Sequence, residues 1–182
     1  MVKIMLDEKS VYYKKRLMFS KGEDFYYLTY SIIFFLHETG ALTLENSLKD
    51  PRKLAFLVDF ISQPFLTDIL SKKNIVHNER NRQRLIQSYA NGSARIHLIM
   101  RLINSLSNKG FLMVEKIEGE SQASIYLNIA NIPKDFLKSE LYEQERENIR
   151  YFCSQIKRAS SVKLRTMLER IYEDNGISIW HV

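Results

Sequence analysis

The chain has one cysteine, three prolines, six glycines and one tryptophan in 182 residues, and each scarcity excludes a class of protein. Cys153, alone, forms no internal disulfide, which sets aside the disulfide-stapled secreted domains. So few prolines and glycines beside 45% hydrophobic residues exclude a low-complexity or disordered chain and point to a compact, helix-rich protein. No charged-then-apolar leader with a small-residue cleavage site opens the sequence, so a cytoplasmic location is expected. The most apolar run, 25–36, is 12 residues long, whereas a membrane-spanning helix needs roughly 20. No membrane association is expected. Also missing are a glycine-rich phosphate loop, a dinucleotide fingerprint, an acidic motif for two-metal chemistry and any metal-ligand spacing among His37, His77, His97, His181 and Cys153. The chain is therefore read as a non-enzyme that calls for no cofactor and no metal.

What is present is positive charge, and it is uneven. The net charge is +6, but from Ser71 to Lys116 nine basic residues, Lys72, Lys73, Arg80, Arg82, Arg84, Arg95, Arg101, Lys109 and Lys116, face only Glu79 and Glu115, a local balance of +7. The first 22 residues carry +4, whereas from Lys134 onward nine basic residues meet eight acidic ones. The central nine are the candidate DNA-binding residues, because lysine and arginine supply phosphate contacts.

The organising stretch is Ser93 to Ile129. Ile96, Ile99, Met100, Ile103 and Leu106 recur at three- and four-residue steps, which predicts an amphipathic helix capped by Ser93 and stopped by Gly110. Two β-rich runs follow, Phe111–Ile117 and Ala123–Ile129, around the polar turn 118–122, and predict a hairpin. Upstream, 78–90 reads as a polar, arginine-rich helix with Leu85, Ile86 and Tyr89 as its apolar contacts, and Asn91-Gly92-Ser93 reads as a turn. Helix, short glycine turn, helix and hairpin predict a winged helix. Its second helix would expose Arg95, His97, Arg101, Asn104, Ser105 and Asn108, residue types that reach phosphates and base edges.

Earlier in the chain, residues 1–20 mix lysines with apolar and aromatic residues and read as a docking arm. Asp24 predicts the cap of a helix over 25–38 that is apolar nearly all round, closed by Thr39-Gly40. Ala41–Leu44 reads as extended. Asp50-Pro51 predicts the start of a helix with Leu54, Leu57, Val58 and Ile61 as its buried stripe and Phe56 and Phe60 beside it; Gln63-Pro64 breaks it, and 65–70 adds one or two turns. After Pro133, Leu141, Ile149, Phe152, Ile156 and Ala159, and then Leu164, Leu168 and Ile171 beyond Ser160-Ser161, predict two amphipathic helices. A tail with Trp180 follows Asn175-Gly176. Phe152, Ile156, Leu164, Leu168 and Trp180 are the candidate partner-binding residues. The expected architecture is mainly α, of the α+β kind: a winged-helix-like domain with N-terminal helices over 1–132 and a helical extension over 133–182.

The order helix 25–38, ALTL, DPRKLAFLVDFISQP, basic helix-turn-helix, hairpin and helical tail resembles the small middle component of bacterial ABC three-component systems, the class that includes the small subunit of Lamassu-type anti-phage and anti-plasmid defence complexes. The resemblance lies in length, element order and the apolar segment Leu54 to Pro64, and covers most of the chain without a catalytic motif. It implies a non-enzymatic subunit that bridges an SMC-like ATPase to a nuclease-type effector; the basic central stretch, read on its own, suits such a subunit touching double-stranded DNA as well. The alternative is a free-standing winged-helix transcription regulator, which normally dimerises to read a two-fold site.

Overall fold

The computed structural model describes residues 24–71, 78–116 and 122–180. The expected docking arm over 1–20, together with Lys72, Lys73 and most of the hairpin turn, lies outside them. The described chain is mainly helical with a small three-stranded antiparallel sheet.

The first helix, α1 (Phe25–Glu38), matches its sequence signals at both ends. Asp24 is extended, and its carboxylate accepts from the Tyr26 and Tyr27 N–H groups at 2.8 and 3.3 Å, two donors that lack partners within the helix. Thr39 closes the helix, its hydroxyl donating to the Phe35 carbonyl at 2.7 Å. Leu28 and Ile32 to Leu36 are buried, so the helix is covered nearly all round.

The strand expected at 41–44 comes later, as β1 (Leu48–Lys49). The stretch before it is tied up in turns, with Leu42 N–H on the Gly40 carbonyl and Ser47 N–H on the Leu44 carbonyl. Only Ala41 reaches the sheet, its carbonyl accepting from Leu127 N–H at 2.8 Å. The Asp50-Pro51 signal is displaced too. Asp50 takes a positive φ of 58° and its carboxylate grips the Arg52 guanidinium at 2.9 and 2.7 Å, so α2 (Lys53–Ser62) begins three residues after Asp50. Pro64 ends α2 and opens α3 (Pro64–Ser71) at a 100° bend. The Ile61 carbonyl at this break accepts from Asn148 Nδ2 at 2.7 Å.

The largest departure is α4 (Glu79–Asn108), a single 30-residue helix that passes straight through Asn91-Gly92-Ser93. The predicted turn does not exist. Gly92 is the point where α4 crosses α2: a Cβ on it would stand 2.4 Å from Cδ1 of Phe56, so the residue serves a close approach between helices. Asn91 and Arg95, on either side, bond to α2 as well, and these contacts hold the helical backbone where a turn reading needs it to reverse.

Gly110, at φ +77°, ends α4 and leads into β2 (Leu112–Glu115) and β3 (Ser124–Leu127), paired antiparallel with Leu112 opposite Leu127 and Glu115 opposite Ser124. This is the expected hairpin, with shorter strands. β1 joins the other edge of β3, giving the order β1-β3-β2. Leu48, Leu112, Ile125 and Leu127 all turn into the core.

The remainder, α5 (Lys134–Leu137), α6 (Glu143–Gln155) and α7 (Leu164–Ile171), belongs to the same hydrophobic cluster, which runs from Leu28 to Ile177. Phe34 stacks on Phe136 at 5.2 Å, and Phe60 meets Phe152 at 5.2 Å. Lys53 adds a polar seal. Fully buried, its ammonium donates to the carbonyls of Ala159, Ser160 and Val162 at 3.1, 2.7 and 2.8 Å, using all three protons to fix the loop between α6 and α7. Desolvation outweighs the attraction of Asp50 and pushes the Lys53 amine down to about 8. Among the described residues no single helix is long and apolar enough to cross a membrane.

Candidate nucleic-acid interface

The site is built on α4, whose buried and exposed sides separate by helical spacing. Leu85, Ser88, Tyr89, Gly92, Arg95, Ile99, Leu102, Ile103 and Leu106 form the buried stripe. On the opposite side His97, Arg101, Asn104, Ser105 and Asn108 are exposed, followed by Lys109 at the C-cap. This outer face carries side chains that donate and accept hydrogen bonds, one guanidinium, and no carboxylate.

Arg95 does not belong to it. It is 7% exposed; its guanidinium donates to the Ala55 carbonyl and to Asp59 Oδ1, both at 3.0 Å, while Asn91 Nδ2 donates to Asp59 Oδ2 at 3.1 Å. A buried arginine held by a buried carboxylate is a helix-to-helix tie, so Arg95 is removed from the DNA-contact set. The clue in the sequence was Asp59, a lone acid inside the apolar run of α2, which burial obliges to find a cation.

The other basic candidates fall into two groups. Arg80 and Arg82 are exposed near the start of α4, with Arg82 4.0 Å from Glu79, and Arg84 lies half-buried with its guanidinium 4.4 Å from the centre of the Phe65 ring. Arg101, Lys109 and Lys116 are exposed at the other end, the last beside the hairpin. Arg84 and Arg101 are 17 residues apart, roughly 25 Å along a helix, so the two groups are separate surfaces.

The partner-binding candidates are placed very differently from the expectation. Phe152, Ile156, Leu164 and Leu168 are 1%, 6%, 5% and 1% exposed, spent entirely on the fold's own core. Their three-four spacing is that of helices burying one face in this core, where α6 packs on α1, α2 and α3. Trp180 alone is exposed, at 67%.

Other reactive groups are quiet. Cys153 is half-buried, and desolvation, reinforced by Glu38, pushes its thiol up to about 11, so at neutral pH it carries its proton. Among the described residues no cluster of three His, Cys, Asp or Glu side chains is placed to hold a metal. Comparison with known protein families, with curated proteins and with solved structures gives no match.

Proposed function

We propose that this protein is a non-enzymatic, cytoplasmic accessory subunit of a bacterial SMC-like ATPase defence complex, which contacts double-stranded DNA and bridges the ATPase to its effector. The observation that carries the DNA-contacting part is the polar, carboxylate-free outer face of α4 running directly into a hairpin. The wider assembly rests on the resemblance of element order described above.

We keep the winged-helix reading as part of the proposal, in altered form. The order α1, β1, α2, α3, α4, β2, β3 with the sheet order β1-β3-β2 suits a winged helix whose helix pair is α2 and α4, with α3 in the connection. In that arrangement the C-terminal half of α4 enters the major groove and the hairpin lies over the neighbouring backbone. Arg101, Lys109 and Lys116 neutralise phosphates, while Asn104, Ser105 and Asn108 reach base edges.

Anisotropy of a labelled duplex at graded salt tests this. Arg101→Ala, Lys109→Ala and Lys116→Ala together should weaken binding and flatten the log–log salt dependence by about 2.7, close to 0.9 for each lost contact. Unchanged affinity and slope would remove the DNA-contacting role. Co-purification with a coiled-coil ATPase tests the bridge, and a dimer that binds one palindromic site tightly without any ATPase would replace it with the regulator.

A further inference from the structure

Away from the duplex-facing half of α4, a groove of ≈ 1230 Å³ opens where several elements end. It is lined by Leu70 of α3, Glu79 and Arg82 at the start of α4, 155–157 at the end of α6, Arg170 in the last turn of α7, and 174–176 beyond that helix. Among the described residues its charged groups are three cations, Arg82, Lys157 and Arg170, and two carboxylates, Glu79 and Asp174. Glu79 is turned to its own helix, 4.0 Å from Arg82 and accepting from Gln83 at 3.4 Å. Arg170 donates to the Lys157 carbonyl at 3.3 Å, which draws two of the cationic residues together.

A second observation lies on the same flank. The Trp180 N–H donates to the Tyr89 hydroxyl at 2.8 Å, and that hydroxyl donates to the Trp180 carbonyl at 2.8 Å. The indole is tilted 54° against the Tyr89 ring, centroids 5.7 Å apart, yet two thirds of the residue remains exposed. One hydroxyl thus fixes the backbone that carries an uncovered indole. Tyr89 follows Arg82 by seven residues, two turns or about 10.5 Å along the same side of α4. Gly176 of the groove and Trp180 are four positions apart, at most about 14 Å of chain. The groove and the indole are thus linked twice, through α4 and through the chain after Gly176, and one strand of a few nucleotides reaches from the cations to the indole.

We propose that this flank binds single-stranded nucleic acid, with phosphates along Arg82, Lys157 and Arg170 and a base stacked on Trp180. A basic track beside an aromatic platform is what an unpaired strand requires, because its bases are free to turn onto a ring while its backbone follows the charge. A duplex keeps its bases stacked on each other and has no use for the indole. An acidic peptide would use the cations without it. None of these residues belongs to the duplex-facing group of Arg101, Lys109 and Lys116, so this proposal and the duplex reading fail or stand separately.

Trp180 is the only tryptophan of the chain, so its emission reports directly. The full chain carrying Arg101→Ala and Lys109→Ala is titrated with oligo(dT), oligo(rU) and a duplex of equal length, with anisotropy of the labelled strand measured in parallel. Both single strands should quench the emission, and the stronger of the two identifies DNA or RNA as the preferred source. Trp180→Ala should weaken single-strand binding about tenfold, with Trp180→Phe retaining most of it. Lys157→Gln with Arg170→Gln should flatten the salt dependence by about 1.4. A melting curve for each variant establishes that it is folded. Absence of quenching, single-strand affinity indifferent to these substitutions, tighter duplex binding on this flank, or poly-glutamate competing with the same dependence on Lys157 and Arg170 would each overturn the proposal.

Discussion

Gly92 of α4 faces Phe56 of α2 at a distance that leaves no room for a methyl group: a Cβ there would lie 2.4 Å from Cδ1 of the ring and 2.9 Å from Cγ. Alanine is favoured over glycine inside a helix by about 1 kcal/mol, whereas forcing a buried ring aside costs about 1–3 kcal/mol. The second effect should win. Gly92→Ala is expected to lower the urea midpoint, and Phe56→Leu added to it should restore part of the loss, since the two residues share one contact. A more stable Gly92→Ala would show that the close approach is absent.

Arg95→Met should destabilise by about 3–5 kcal/mol, because it strands the Asp59 carboxylate in the interior. Chemical denaturation measures the loss. Duplex affinity of the folded fraction should stay unchanged, and a selective loss of DNA binding at full stability would return Arg95 to the contact set.

Lys53 yields a pH prediction. Its amine is lowered from 10.5 to about 8 in the folded protein, so between these values the unfolded chain holds a proton that the folded chain has lost. Stability from this residue therefore rises as pH climbs through that window, by about 3 kcal/mol over roughly two units. Lys53→Met removes the rise and also leaves the carbonyls of Ala159, Ser160 and Val162 without their donor. Its deficit relative to wild type should be smaller near pH 7.5 than near pH 10, and amide exchange should quicken around 157–163. A deficit independent of pH would refute the assignment.

Phe152→Asp or Leu168→Asp should abolish folding, since either places a carboxylate in a dry core. Circular dichroism melts decide it. A well-folded variant that fails only to assemble with a partner would reinstate these residues as an interface.

How much was legible beforehand differed from element to element. The α1 caps, the break at Pro64, the Gly110 stop and the hairpin depend on neighbours within a few residues: a carboxylate over free N–H groups, a ring without a donor, a backbone at positive φ, an alternating run. Such causes are written locally, and the sequence by itself determined them, along with the mainly helical class. The helix through Asn91-Gly92-Ser93 was different, because the same glycine serves a turn or a close crossing, and only Phe56, 36 positions earlier, decides which. Asp59 likewise converted Arg95 from a surface charge into an interior tie. The apolar spacing of Phe152, Ile156, Leu164 and Leu168 told that those helices bury one face, but the partner of that face was settled only when α6 met α2 and Phe60 met Phe152. Periodicity specifies that a side chain is buried, and tertiary packing specifies against what; the bridge of Tyr89 to Trp180, spanning 91 residues, is of that second kind.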